Sequence, residues 1–431
     1  MVRVRINFCL LAFVICSAGL FGSEDGNLSQ GDSSLPISDS DLPITKKREW
    51  TVIVDFAAQN NLCSFADKNL LEMTRVGSSK KLNLLAQFDR QGKDKVLRVL
   101  VEKDELIVKE EFESTKENSS GSAKNLLELI TWGVKNYPAE HYAVILWNHG
   151  MGTFNPEFSD SEATVESRGI SINDKYDTYI KDTELKEVLE KVSKESLSGE
   201  KIDIVGFDAC IMGTVEIATQ IQNAAKIMVA SSEIIHANGW CYDKILEPLA
   251  KKTMTPEKFS KHIVSCYQRS YKKSSFQGYT LAATNLEKIK VLNKSLSTAA
   301  LILIKLLSDP KDNQLREVIK FAAKNRRLVP GYFNREFLDT YCFCGEILKK
   351  LPMDSIDKKN YRSVMALQSA LEKCKEGIKD AVIHNESGPT NRRAQGLSIY
   401  FPPSEIHLPY LHNDFSKSTF WSLFLKKMLS P

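Results

Sequence analysis

Five short apolar runs, each followed by a segment of other character, constrain this chain more than anything else in it. They are Trp50-Thr-Val-Ile-Val-Asp55, Leu82–Phe88, Tyr142-Ala-Val-Ile-Leu-Trp147, Ile202–Phe207 and Lys226–Ala230. The third and fourth are apolar almost throughout, as strands covered on both faces of a parallel sheet are. Helices are expected at Ala57–Val76, around Leu126, Leu127, Ile130 and Val134, at Leu185–Val192 and from Met212 to Ala224; the second of these has an apolar stripe at three- and four-residue spacing, ended by Pro138. Asn118–Ser122 is a loop whose serines suit the cap of that helix. Lys95–Val101 and Glu105–Phe112 flank Lys103-Asp104 and read as a hairpin. The alternation argues for an α/β, doubly wound, mostly parallel sheet flanked by helices.

The second half is largely helical, with helices expected at Pro256–Tyr271, Leu286–Leu307, Gln314–Lys324 and Tyr361–His384. Strand-like Tyr279–Ala283 and Gly396–Phe401 interrupt it and are expected to complete the sheet. The domain reading is therefore an α/β core over 48–250 and a helical region over 251–431 that lends late strands to it.

The N-terminus reads differently. Arg3 and Arg5 precede the apolar run Ile6–Phe21, with Ser17, Ala18 and Gly19 near its end and a polar stretch after it. Residues 1–22 have the layout of a secretory signal peptide, an uncleaved anchor being the other reading. Residues 23–47 form a polar linker expected to be disordered. Export without stable membrane insertion is the expectation. Two of nine cysteines fall in the signal, so an odd number remains and at least one thiol is free or pairs between chains. Cys342-Phe-Cys344 is too close-set for a metal knuckle, and no metal-site spacing occurs. A net charge of +4 over 431 residues, with no basic stripe interleaved with aromatics, excludes nucleic-acid binding as a reading.

Two strand ends carry the chemistry. The third strand runs into Asn148-His149-Gly150-Met151-Gly152 and the fourth into Asp208-Ala209-Cys210. In open parallel sheets, ligands bind beyond the carboxyl ends of the strands, so an imidazole and a thiol face one crevice. Such a pair suits nucleophilic catalysis by thiolate. The N–H groups of Gly150 and Cys210 are placed to form an oxyanion hole. Either residue alone is more simply filler, a small buried thiol or a histidine before a turn.

The pair NHG…DAC, with a strand before each, resembles the clostripain-like cysteine peptidases of the caspase, gingipain and legumain clan. His149 and Cys210 stand 61 positions apart, against roughly fifty in caspases. Trp50–Val54 with Asn60-Asn61-Leu62, Val229–Glu233 with Asn238-Gly-Trp240 and Tyr242-Asp243, and Gly396–Pro402 are similar to further segments of that family. The resemblance implies a caspase-like fold, Cys210 as nucleophile forming a thioester, and His149 as acid and base. It implies that Asp208 lines the pocket for an Arg or Lys before the scissile bond, the plainer role being an N-cap. Glu233 is a second acidic wall by the same reading. Self-cleavage is expected after Arg168, in TVESRGIS. No cofactor is required, although calcium is possible by resemblance; Asp160, Glu162 and Asp174 are acidic but form no EF-hand loop and otherwise read as solvated surface. The expected partners are protein or peptide substrates, and the expected state is a monomer. The rival reading is a catalytically inactive caspase-like fold acting as a surface binding module; a cysteine-dependent transferase is a third.

Overall fold

A computed structural model describes residues 2–5, 47–152, 169–308, 313–332, 336–351 and 360–430. Its strands are β1 Val2–Arg5, β2 Arg48–Ala58, β3 Leu82–Arg90, β4 Lys95–Glu102, β5 Glu105–Glu113, β6 Ala139–Trp147, β7 Ile170–Asn173, β8 Thr178–Ile180, β9 Ile202–Asp208, β10 Ala225–Ala230, β11 Thr280–Asn285, β12 Gly331–Tyr332, β13 Phe337–Asp339, β14 Val382–Ser387 and β15 Ser398–Tyr400. Ten of them make one sheet in the order β1-β5-β4-β3-β2-β6-β9-β10-β11-β14. The centre, β3-β2-β6-β9-β10, is parallel, and both margins are antiparallel.

Successive residues of a strand face opposite sides, and the two sides here are separate cores. From β2, Val52, Val54 and Phe56 pack beneath the helices Cys63–Val76, Tyr242–Lys251 and Pro256–Tyr271. Ile53 packs on the other face with Leu129 and Ile130 of Ala123–Asn136. That second core continues into Ile289–Leu306, Tyr361–Ala381 and Trp421–Leu429, so the helices of the second half share a core with those of the first. Ser122 caps Ala123–Asn136, its side chain accepting from the Asn125 N–H. Among the described residues no helix is long and apolar enough to cross a membrane.

The expected elements hold with four corrections. The helix expected from Ala57 begins at Cys63, because β2 continues to Ala58 and the Asn60 side chain ties its amide to Ala57 O and its oxygen to the Leu62 N–H. The one expected from Met212 is only Val215–Ile221, capped by Thr214; the residues before it form a turn against Ser231. The last long helix stops at Ala381, and His384 lies on β14, an edge strand. β14, not Gly396–Phe401, completes the sheet beside β11; β15 instead pairs with β13 in a small separate sheet. The signal run, the linker and Arg168 lie outside the described residues.

Candidate active site

Trp147 of β6 and Asp208 of β9 are directly paired across the parallel ladder. His149 and Cys210 each lie two residues beyond that pair, so register alone puts them on adjacent tips. Together they line a cavity of about 470 Å³ with Asn148, Asp208, His236 and Phe276. The tips touch. A Cβ on Gly150 would come 2.6 Å from the carbonyl oxygen of Cys210, so only glycine allows this approach. Ile211, next after the cysteine, has φ of 59°, an unusual conformation for a β-branched residue. The turn is held there by Ile211 N–H on Glu233 O (3.2 Å) and Gly213 N–H on Ser231 O (2.7 Å).

The histidine tip is clamped from two directions. Asn148 donates to Ala57 O and to Ile172 O, and its own oxygen accepts from the Ile172 N–H. The ring of His149 meets Asn61 Oδ1 through Nε2 at 2.7 Å. With an amide oxygen as partner, Nε2 carries the proton and Nδ1 is left as the base. Burial pushes the His149 pKa down, partly offset by the charge of Asp174. Asn61 and Asp174 are functional candidates to which the motif reading gave no role beside the histidine. They come from the turn after β2 and the residue after β7, and their proximity is set by tertiary packing. Asn60-Asn61 stood in the sequence as a signal without a role.

Cys210 is held by Ile235, whose N–H donates to Sγ at 3.3 Å and whose carbonyl lies 3.8 Å from it. No hydrogen bond joins it to His149 among the described residues. Burial, with smaller additions from the charges of Glu233 and Asp208, pushes the thiol up to about 11. At neutral pH both members of the pair are therefore uncharged at rest.

Asp208 is 3% exposed. Its Oδ2 accepts from the Trp240 N–H (2.9 Å) and the Tyr242 hydroxyl (3.0 Å). Its Oδ1 is buried without a hydrogen-bond partner among the described residues. The helix that follows is capped by Thr214, so Asp208 is not its N-cap. Burial raises its pKa to about 7 despite those two donors. Gly239 stands against it in a left-handed conformation (φ 62°), where a Cβ would lie 2.7 Å from Oδ2. Glu233 is not brought to this wall. Its Oε1 turns back to the Ile234 N–H, and it lines a neighbouring cavity of about 330 Å³ with Arg326 and Asn391. His236, without a role in the motif reading, stands in the Asp208 cavity against Tyr271 and Phe276. Of the three acidic residues weighed for calcium, Asp160 and Glu162 lie outside the described residues. No cluster of three or more His, Cys, Asp or Glu among the described residues has metal-site geometry.

A family model described as the clostripain family matches residues 54–425. Clostripain of Hathewaya histolytica is 25% identical over 261 residues, 52% of this chain and 46% of its own length, so the chain spans about half of this curated relative. Two solved structures share the fold over 88% of this chain and 99% of their own. One is an inactive zymogen C11 protease from Parabacteroides distasonis, 19% identical with a TM-score of 0.59. The other is a secreted C11 cysteine protease from Bacteroides thetaiotaomicron in complex with an irreversible peptide inhibitor, 18% identical with a TM-score of 0.60.

Proposed function

The chain belongs to the clostripain family of cysteine peptidases, and from that premise we propose that it is an exported endopeptidase cutting peptide bonds after Arg or Lys. The observation that carries the proposal is the partnerless Oδ1 of Asp208, buried in the cavity that His149 and Cys210 also line. A buried acceptor without a donor costs free energy. A guanidinium or ammonium entering the cavity supplies the donor and shifts Asp208 to its charged form.

Catalysis then proceeds by ordinary thioester chemistry. The Cys210 thiol gives its proton to His149 and the thiolate attacks the substrate carbonyl, and the N–H groups of Gly150 and Cys210 stabilise the oxyanion. His149, oriented by Asn61, protonates the leaving amine; water then attacks the thioester with His149 as base. Because thiol and imidazole are both neutral at rest, the proton leaves the thiol only as substrate fills the cavity. Self-cleavage after Arg168, export through the N-terminal segment, a monomeric state and any calcium requirement belong to the same proposal. The secreted and zymogen neighbours support the first two of these.

The test uses fluorogenic peptides with Arg, Lys, Asn or Asp before the scissile bond. Turnover of the basic peptides alone, lost in Cys210→Ala, is the expected result. Cleavage after Asn or Asp overturns the role of Asp208. No turnover by wild type, even with calcium and reductant, would favour the binding-module reading. Intact mass showing one uncut chain removes self-cleavage from the proposal.

A further inference from the structure

The segment that holds Asp208 ends on a second thiol cluster. Cys241 stands between Trp240 and Tyr242, the two donors to Asp208 Oδ2. Its partly exposed thiol lies 3.7 Å from the carbonyl oxygen of the buried Cys266, on the helix Pro256–Tyr271. Ser270 Oγ donates to Cys241 Sγ at 3.0 Å. Cys266 Sγ receives Nη2 of Arg269 at 2.9 Å and faces His262 Nε2 at 3.3 Å, both from its own helix. A guanidinium and an imidazole on one sulfur favour thiolate. The Cys266 pKa is accordingly held well below the ordinary thiol range, by Cys241 first and then His262 and Arg269.

We infer that Cys241 and Cys266 are a peroxide-responsive dithiol that closes to a disulfide behind the Asp208 pocket. The Cys266 thiolate attacks one oxygen of hydrogen peroxide; the O–O bond breaks, hydroxide leaves and Cys266 becomes a sulfenic acid. The Cys241 thiol then attacks that sulfur, the S–O bond breaks, and water leaves with the Cys241 proton. Two sulfurs are oxidised and one peroxide is reduced. With Cys241 Sγ already against the Cys266 backbone, side-chain rotation is the movement that disulfide geometry calls for. Closure joins the segment bearing both Asp208 donors to the helix Pro256–Tyr271, so the oxidised chain has a pocket wall fixed covalently.

The test uses the full chain carrying Cys210→Ser, so that the proposed nucleophile does not compete. After peroxide at pH 7, iodoacetamide blocking and digestion, mass mapping is expected to give one peptide linking Cys241 to Cys266, lighter by two hydrogens and separated by reductant. Adding Cys241→Ser should abolish the link and leave Cys266 trappable by dimedone as sulfenic acid. Arg269→Leu should slow closure about tenfold. Both cysteines alkylated after peroxide, or Cys266 inert to dimedone in the Cys241→Ser chain, would overturn the inference. Mapping needs no turnover, so it stands or falls separately from the peptidase reading.

Discussion

Cys210, half-buried, and Cys266, buried, are thiols in opposite electrostatic surroundings. Cys266 has a guanidinium at 2.9 Å and an imidazole at 3.3 Å. Among the described residues Cys210 has only a backbone N–H as donor, with the charges of Glu233 and Asp208 raising it further. The sulfur with the better-stabilised thiolate is the one outside the cavity. A thiol pushed up to about 11 is quiet toward small oxidants, since thiolate is the reacting form. The difference teaches that ground-state acidity and catalytic placement are separable. Activation at Cys210 has to arrive with substrate, whereas at Cys266 it is built into one helix.

The comparison breaks most severely at the nucleophile. Cys210→Ala is expected to lose about 10⁴-fold or more in kcat on an Arg peptide, the scale seen when a nucleophile is removed, while its binding of that peptide, read by titration, persists. Asp208→Asn keeps shape but removes charge, and kcat/KM for Arg peptides should fall about a hundredfold, as expected for lost charge-assisted hydrogen bonds. A neutral peptide should change far less. Because Asp208 titrates near 7 in the folded chain, KM for Arg peptides should fall as pH rises through about 7, and the Asn variant should lack that inflection. The same shift has the opposite sense for stability: a carboxyl raised above its unfolded value stabilises most at low pH, and that contribution is lost as pH rises through about 7. Asp208→Asn should therefore lose less of its melting temperature between pH 5 and 8 than wild type does. Asn61→Ala should cost about tenfold or less in kcat with KM unchanged, since one hydrogen bond orienting His149 contributes about 1 kcal/mol. Equal losses on Arg and neutral peptides in Asp208→Asn would sink the pocket assignment.

The central strands were readable because burial on both faces leaves a nearly continuous apolar run, as in Tyr142–Trp147 and Ile202–Phe207. The tips followed, since a histidine and a cysteine two residues past paired positions need no knowledge of the loops. β14 was hidden: Val-Ile-His-Asn-Glu-Ser is half-buried along its whole length at a sheet edge and shows no alternation after a long helical pattern. β15 looks like a core strand because it is fully buried, but which sheet a strand joins is decided by distant partners. Asn61 and Asp174 approach His149 from two separate connections, and spacing along the chain carries no trace of that meeting. Glu233 turns its Oε1 to the next residue's N–H, a local bond that spacing along the chain does not announce.

The strand order divides cleanly. Every described strand of the large sheet before residue 152 lies on the β6 side of the β6/β9 ladder, and every one after residue 169 lies on the β9 side. His149 belongs to one half and Cys210 to the other. A chain opened between residues 152 and 169 would be two subunits in all but origin, zipped along Ala143–Trp147 and Ile204–Asp208 and pinned by Asn148 on Ile172. Its reaction centre would then be a quaternary contact, and the affinity of the two pieces for each other would set whether the centre exists.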